Sequence, residues 1–202
     1  MALYYELQIK KTLGEDYNYP EITIPAHTYP AVPCEIIHAG AKVKFNQKHC
    51  CNSPEGLLKG HYYLMPTKVI DSALRFTSGM YIPSSHMCLS FTGPYKHLKL
   101  GKGGAILTDD LDAYLWFKRA RFSGRQECSY HYDDFDAGPD PLEKNYHISP
   151  PVIGWNFYMM PEIAARGLQL MLQFFMPDGT PKSNEDLSLP YPDLSKFKIY
   201  QQ

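Results

Sequence analysis

The sequence lacks the features that mark membrane, secreted and nucleic-acid-binding proteins. None of its apolar runs is long enough to cross a bilayer, and its first residues, MALYYELQIKK, alternate apolar with polar positions instead of forming a signal peptide. Its 20 basic and 21 acidic residues give a formal net charge of -1, and the basic residues are not clustered. We therefore expect a cytoplasmic protein with neither membrane nor nucleic acid as a partner.

The cysteines are too few and too irregularly spaced for a disulfide framework or a zinc site. There are five, two of them adjacent, and no CxxC pair occurs. Two local clusters could be interpreted as metal sites: His49-Cys50-Cys51 with His61, and the acidic stretch His131–Asp136. Neither has the defined ligand spacing of a metal centre, so we predict that the protein has no metal site.

Hydrophobic periodicity divides the chain into short strands that alternate with helices. The predicted strands are Glu21–Pro25, Ala41–Phe45, a buried strand that ends near Asp71, His86–Phe91 and Gly104–Thr108. The predicted helices are residues 2–13, a helix ending at Gly40, residues 111–122 with Asp109–Asp110 as the N-cap, and a last helix that begins around Pro161. A long polar loop is expected over residues 123–152.

This alternation is typical of an α/β domain whose sheet is largely parallel. The 202 residues are enough for one sizeable domain, which we predict over residues 1–175, followed by an extended, Pro-rich tail over residues 176–202. In such sheets, ligands bind at the carboxyl ends of the strands. Asp71 and Ser90 lie at two of these ends, and Lys96 follows the second, so the sequence predicts a site there.

Lys96 lies between an apolar run, Met87–Phe91, and a glycine turn at residues 101–104. Taken alone, it has the character of a solvated surface lysine. A lysine on a strand-end loop can also form an imine with an aldehyde cofactor when desolvation or nearby cations lower its pKa. Pyridoxal phosphate chemistry needs such a lysine and a carboxylate that pairs with the ring nitrogen, and Asp71 is placed to supply that carboxylate.

Four sequence blocks, in order, resemble the sugar aminotransferases of the DegT/DnrJ/StrS family, which are fold-type I pyridoxal phosphate enzymes. The first two are ITIPAHTYPAVPCEIIHAGAKVKF, around a Thr-aromatic pair, and the acidic block KVIDSALRFTSGMY. The third, LSFTGPYKHLKLGKGGAILTDD, carries the lysine and the glycine turn and is the most specific, and the fourth is IGWNFYMMPEIAARGLQL. Together they cover most of residues 22–170. The resemblance implies a three-layer domain like the large domain of those enzymes.

The resemblance also implies a catalytic pair and a substrate class. Lys96 would be the Schiff-base lysine and the proton shuttle, and Asp71 would pair with the pyridinium nitrogen of pyridoxal 5'-phosphate. The reaction would move an amino group from an amino acid, glutamate by expectation, to a keto sugar that is linked to a nucleotide.

Four further residues complete the cofactor site that the resemblance implies. Tyr29 would stack on the ring, Ala73 would pack near it, and Ser90 would hydrogen-bond the phosphate. Asn156 would reach the phosphate of the neighbouring subunit's cofactor, which predicts a homodimer with a shared active site.

The sequence also departs from the family pattern at several positions. It is shorter at both ends, so the Gly-Thr phosphate loop and most of the small C-terminal domain have no counterpart in it, and two phosphate contacts are expected to be missing or supplied otherwise. Leu74 stands where a Gln or His is often found, and Tyr158 stands where an Arg is usual. One extra residue between Ser90 and Lys96 is accommodated by the Gly93–Pro94 turn.

These departures leave two alternatives open. The chain could be a degenerate, non-catalytic homologue that acts as a binding or interaction scaffold. Alternatively, a separate polypeptide could supply the missing phosphate loop and small domain. Transamination kinetics with glutamate separate the first alternative from an enzyme, and a co-purified partner would reveal the second.

Overall fold

The computed structural model describes residues 1–12, 14, 20–47, 57–124, 152–174 and 188–201. Its helices are α1 (Ala2–Tyr4), a π-helical turn (Tyr5–Ile9), α2 (Lys10–Thr12), α3 (Ala31–His38), α4 (Leu111–Ala120) and α5 (Pro161–Phe174). Its strands are β1 (Glu21–Pro25), β2 (Lys42–Asn46), β3 (Leu57–Lys59), β4 (Tyr62–Tyr63), β5 (Val69–Asp71), β6 (His86–Ser90), β7 (Gly104–Leu107) and β8 (Ser188–Pro190). The predicted α/β class is confirmed.

Residues 21–46 form a β–α–β unit. Strand β1 alternates apolar and polar residues, and Ile22 and Ile24 are fully buried. Helix α3 follows Pro30 and ends before Gly40, whose φ of 88° suits a residue without a side chain. The chain then returns as β2, which pairs in parallel with β1. The two carboxyl ends of these strands therefore lie at the same edge.

The second sheet has four strands in the order β4–β5–β6–β7. Strands β5 and β6 run parallel, with Asp71 opposite Cys88, whereas β4 and β7 run antiparallel to their neighbours. An antiparallel bridge between Thr23 and Met65 connects the first sheet to the residues just after β4. With the antiparallel pairing of β3 and β8, the described strands make two parallel and three antiparallel pairings, where the sequence predicts a largely parallel sheet.

The main hydrophobic core lies between the N-terminal helical residues, the β1 side of the fold and α4. Side chains from Leu3 and Tyr5 pack with Ile22, Trp116 and Phe117. Helix α4 begins as predicted, because the Asp110 side chain accepts a hydrogen bond from the Ala113 backbone N–H at 3.0 Å. This core fixes the strands whose ends carry the candidate site.

A cluster of charged or titratable side chains is buried with that core. Glu6, Lys10 and His86 are each no more than 2 % exposed. Glu6 Oε1 lies 3.0 Å from Lys10 Nζ and 3.2 Å from His86 Nε2. Because a carboxylate only accepts hydrogen bonds, Nε2 is the ring nitrogen that carries the proton. The triad ties the N-terminal helical residues to the first residue of β6.

Most of the long predicted loop and part of the predicted tail fall outside the described residues. The helix predicted to begin at Pro161 is confirmed, and its Gly167 is buried against the Leu100 side chain. Of the tail, residues 188–201 are described, and they contain β8 and two short 3-10 turns. Within the ranges that the structure describes, no helix combines the length and apolar character that a bilayer crossing requires.

Candidate active site

Asp71 is the last residue of β5 and its side chain folds back on the chain. The two preceding residues, Val69 and Ile70, are buried, so the strand delivers Asp71 from the core to the edge of the sheet. Its Oδ1 accepts a hydrogen bond from the Ala73 backbone N–H at 2.8 Å. This local turn holds the carboxyl group at the strand end, where a ligand is expected in sheets with parallel strands.

Lys96 points back to the same turn from the loop between β6 and β7. Its Nζ donates a hydrogen bond to the Ala73 carbonyl oxygen at 2.9 Å. The base of the loop is closed by hydrogen bonds from the Phe91 N–H to the Gly103 carbonyl oxygen and from the Leu100 N–H to the Phe91 carbonyl oxygen. Buried Leu100 anchors it further. The structure therefore brings together Asp71, Ala73 and Lys96, which lie up to 25 positions apart in the printed sequence.

Burial shapes the electrostatics of this pair. It raises the pKa of Asp71, against the opposing effects of the Ala73 N–H, the Tyr62 hydroxyl and the charge of Lys96. It also lowers the pKa of Lys96, against the opposing charge of Asp71. Since desolvation disfavours the charged form of each group, the amine of Lys96 is deprotonated at a lower pH than an exposed lysine. A neutral amine is the form that attacks a carbonyl carbon.

Tyr62 and Thr28 hold the Asp71 carboxyl group through a chain of hydrogen bonds. The Tyr62 hydroxyl donates to Asp71 Oδ2 at 2.9 Å, and Thr28 Oγ1 lies 2.6 Å from the same hydroxyl. Both side chains are buried, and Tyr62 stands directly opposite Asp71 in the β4–β5 register. With Ala73 on one oxygen and Tyr62 on the other, the carboxyl group has little freedom to rotate.

Sequence reasoning missed Tyr62 and Thr28 as site residues. No local motif marks Tyr62 as a site residue. It reaches Asp71, nine positions away in the sequence, through the pairing of two strands. Thr28 precedes Tyr29 in the Thr-aromatic pair, and that pair is the signal that could have found it.

Two tyrosines form an aromatic corner beside Asp71. Tyr29, the predicted ring-stacking residue, is 58 % exposed. Its ring centroid lies 6.1 Å from that of Tyr191, with 65° between the ring planes. Tyr191 interacts electrostatically with both Asp71 and Tyr29, and burial with these two neighbours raises the pKa of its hydroxyl. Tyr191 also was not among the predicted site residues.

Ser90 ends β6 on the same side of that strand as Cys88, the residue opposite Asp71. Its Oγ accepts a hydrogen bond from the Thr92 backbone N–H at 3.3 Å. Ser90 pairs with Gly104 at the start of β7, where an added Cβ would collide with the Leu89 carbonyl oxygen. The glycine allows the two strands to approach at this end of the sheet.

Asn156 lies on a different part of the chain. It is exposed and pairs with Phe122 in an isolated bridge just beyond α4. Hydrogen bonds from Trp155 N–H to the Ala120 carbonyl oxygen and from Phe157 N–H to the Arg121 carbonyl oxygen hold it there. These contacts do not bring Asn156 to Lys96 of its own chain.

The structure describes Leu74 and Tyr158, two positions at which the sequence departs from the family pattern. Leu74 is a buried core residue, and Tyr158 is half exposed with its ring edge against Phe122. The clusters His49-Cys50-Cys51 and 131–136 lie outside the described residues. Among the residues with described positions, no three His, Cys, Asp or Glu side chains form a group that could hold a metal ion.

Comparisons of the chain with protein-family models, with curated proteins and with solved structures found no match. The resemblance to sugar aminotransferases therefore stays a prediction, and the functional argument depends on the chemistry of the site itself.

Proposed function

We propose that this protein binds pyridoxal 5'-phosphate and transfers an amino group from an amino acid, glutamate by expectation, to a keto sugar linked to a nucleotide. One observation carries the proposal: a half-buried carboxyl group and a desolvated lysine amine, Asp71 and Lys96, meet at one turn beyond the ends of two parallel strands. The sugar and its nucleotide are taken from the family resemblance alone.

The donor set of the site suits this cofactor. Lys96 offers an amine to the aldehyde, Asp71 offers a carboxyl group to the ring nitrogen, and Tyr29 offers an exposed aromatic face. Ala73 contributes a small side chain next to both groups, and Ser90 contributes a hydroxyl that is suited to a phosphate oxygen. The cofactor, when bound, supplies an electron sink for the carbanion that develops when the amino acid loses its α-proton.

The protein's own residues would position groups and move protons. The Ala73 N–H and the Tyr62 hydroxyl fix both oxygens of Asp71, and the carboxyl group held in this way would pair with the ring nitrogen. Lys96 Nζ, with its lowered pKa, would take the α-proton as a base and return it as an acid. The hydrogen bond to the Ala73 carbonyl oxygen keeps Nζ aimed at the same turn between these steps.

We also propose a three-layer domain, a homodimer and a cytoplasmic location. A three-layer domain like the large domain of fold-type I transferases is supported by the parallel β1–α3–β2 unit and the parallel β5–β6 pair. A homodimer with a shared active site is supported by the exposed position of Asn156, which leaves its amide free to face a second subunit. The cytoplasm is the expected compartment.

Spectroscopy of the purified protein tests the proposed function. Addition of pyridoxal 5'-phosphate is expected to produce a visible absorption band, and addition of glutamate is expected to remove that band and release 2-oxoglutarate. A band that glutamate leaves unchanged would favour the non-catalytic scaffold. If neither a band nor any other sign of cofactor binding appears, the proposal is wrong.

A further inference from the structure

The C-terminal residues 191–201 dock on the same edge of the β1–α3–β2 unit that carries Thr28 and Tyr29. Leu194 is only 2 % exposed, and its N–H donates to the Ala26 carbonyl oxygen at 2.9 Å. Asp193 forms an antiparallel bridge with His27. Ala26 and His27, which make these contacts, come just before Thr28 and Tyr29 in the sequence. The C-terminal segment is therefore fixed next to the candidate site.

Two further contacts hold the segment along β2. Gln47 Nε2 donates to Ser195 Oγ at 3.1 Å, and the rings of Phe45 and Tyr200 lie 6.3 Å apart. Because these contacts span the segment from Ser195 to Tyr200, the docking involves more than a single residue. A segment that is held at several points can present one side chain in a defined position.

Tyr191 is the side chain that this docking presents to the site. Its carbonyl oxygen lies 2.8 Å from His27 Nδ1, which accordingly carries the proton, and this fixes its backbone. Its half-buried ring meets Tyr29 in the aromatic corner beside Asp71. The raised pKa of its hydroxyl keeps the proton on the oxygen, so the phenol can donate a hydrogen bond.

We propose that Tyr191 is a ligand-binding residue of the candidate active site, whose ring packs against a planar ring bound next to Tyr29 and whose hydroxyl donates a hydrogen bond to a polar group of that ligand. This inference rests on the proposed function, since the ligand is taken to be pyridoxal 5'-phosphate. It makes the C-terminal segment a part of the site, although Tyr191 follows Lys96 by 95 positions in the printed sequence.

The test is a spectral titration with pyridoxal 5'-phosphate of the unaltered protein and of Tyr191→Phe, Tyr191→Ala and Phe197→Ala. Loss of one neutral hydrogen bond in Tyr191→Phe is expected to raise the Kd by about threefold to tenfold. Tyr191→Ala, which also loses the ring, is expected to raise it further, by more than about tenfold. Phe197→Ala removes a half-exposed ring from the same segment and is expected to leave the Kd within about twofold.

The outcomes separate this inference from the proposed function. If the unaltered protein binds the cofactor and both Tyr191 variants bind it equally well, the inference is overturned while the proposed function stands. If the unaltered protein does not bind it, both fail. Tyr191→Phe keeps the ring contact with Tyr29, so it decides the matter even if Tyr191→Ala proves too unstable to measure.

Discussion

Lys96→Ala is expected to abolish the visible absorption band of the protein with pyridoxal 5'-phosphate and to leave no adduct after borohydride reduction. Lys96 Nζ is the desolvated amine at the turn shared with Asp71, so its removal takes away both the point of attachment and the proton carrier. The rate of amino-group transfer should fall by at least about 10²- to 10⁴-fold, the usual contribution of a positioned acid–base group.

Lys99→Ala is the matched control for this experiment. Lys99 lies in the same loop but is exposed, so its removal should change neither the band nor the rate by more than about twofold. Equal loss of cofactor binding in Lys96→Ala and Lys99→Ala, or a full band in Lys96→Ala, would remove Lys96 from the proposed mechanism.

Glu6→Gln is expected to lower the free energy of unfolding by about 3–5 kcal/mol, as is typical when one partner of a buried ion pair is removed. The substitution would leave the ammonium group of Lys10 buried without its carboxylate, beside His86. Urea unfolding of the two proteins measures the difference. The control is Glu21→Gln, since Glu21 pairs with Lys44 at 2.9 Å on the surface, and its loss should cost less than about 1 kcal/mol.

The lowered pKa of Glu6 predicts that the free energy of unfolding decreases in acid. Burial by itself would raise the pKa of Glu6, but hydrogen bonds from His86 and Lys10 and the charge of Lys10 lower it from 4.5 to about 2. Because the folded state favours the ionised form, this contribution of about 3 kcal/mol is complete above pH 4.5 and is lost as the pH falls towards 2. Glu6→Gln should flatten the decline in unfolding free energy between these pH values, and an unchanged decline would contradict the assignment.

Local signals in the sequence predicted the elements that carry the candidate site. Alternation of apolar residues predicts β2, apolar runs predict β5, β6 and β7, and Asp110 marks the start of α4 through its capping side chain. The carboxyl ends of parallel strands meet at one edge, and this rule alone predicts that Asp71 and Lys96 lie near each other. The positions of these elements depend only on residues close in sequence, and the shared edge depends only on a general rule of topology.

Contacts between distant segments could not be predicted in this way. Tyr62 supports Asp71 because an antiparallel strand places it opposite, and the sequence alone does not give strand register. Tyr191 reaches the site because a C-terminal segment docks beside Ala26 and His27. Lys10 shares a helix turn with the exposed Lys11, yet it is buried in the core, where Glu6 Oε1 contacts both its Nζ and His86 Nε2.

Peptide mapping after borohydride reduction tests the central claim most directly. The protein is mixed with pyridoxal 5'-phosphate at neutral pH, reduced, digested and examined by mass spectrometry for the modified lysine. The predicted result is a single dominant adduct on Lys96, because its amine has a lowered pKa and lies at the turn that holds Asp71. An adduct spread over exposed lysines such as Lys99 and Lys102, with Lys96 unmodified, would contradict the account.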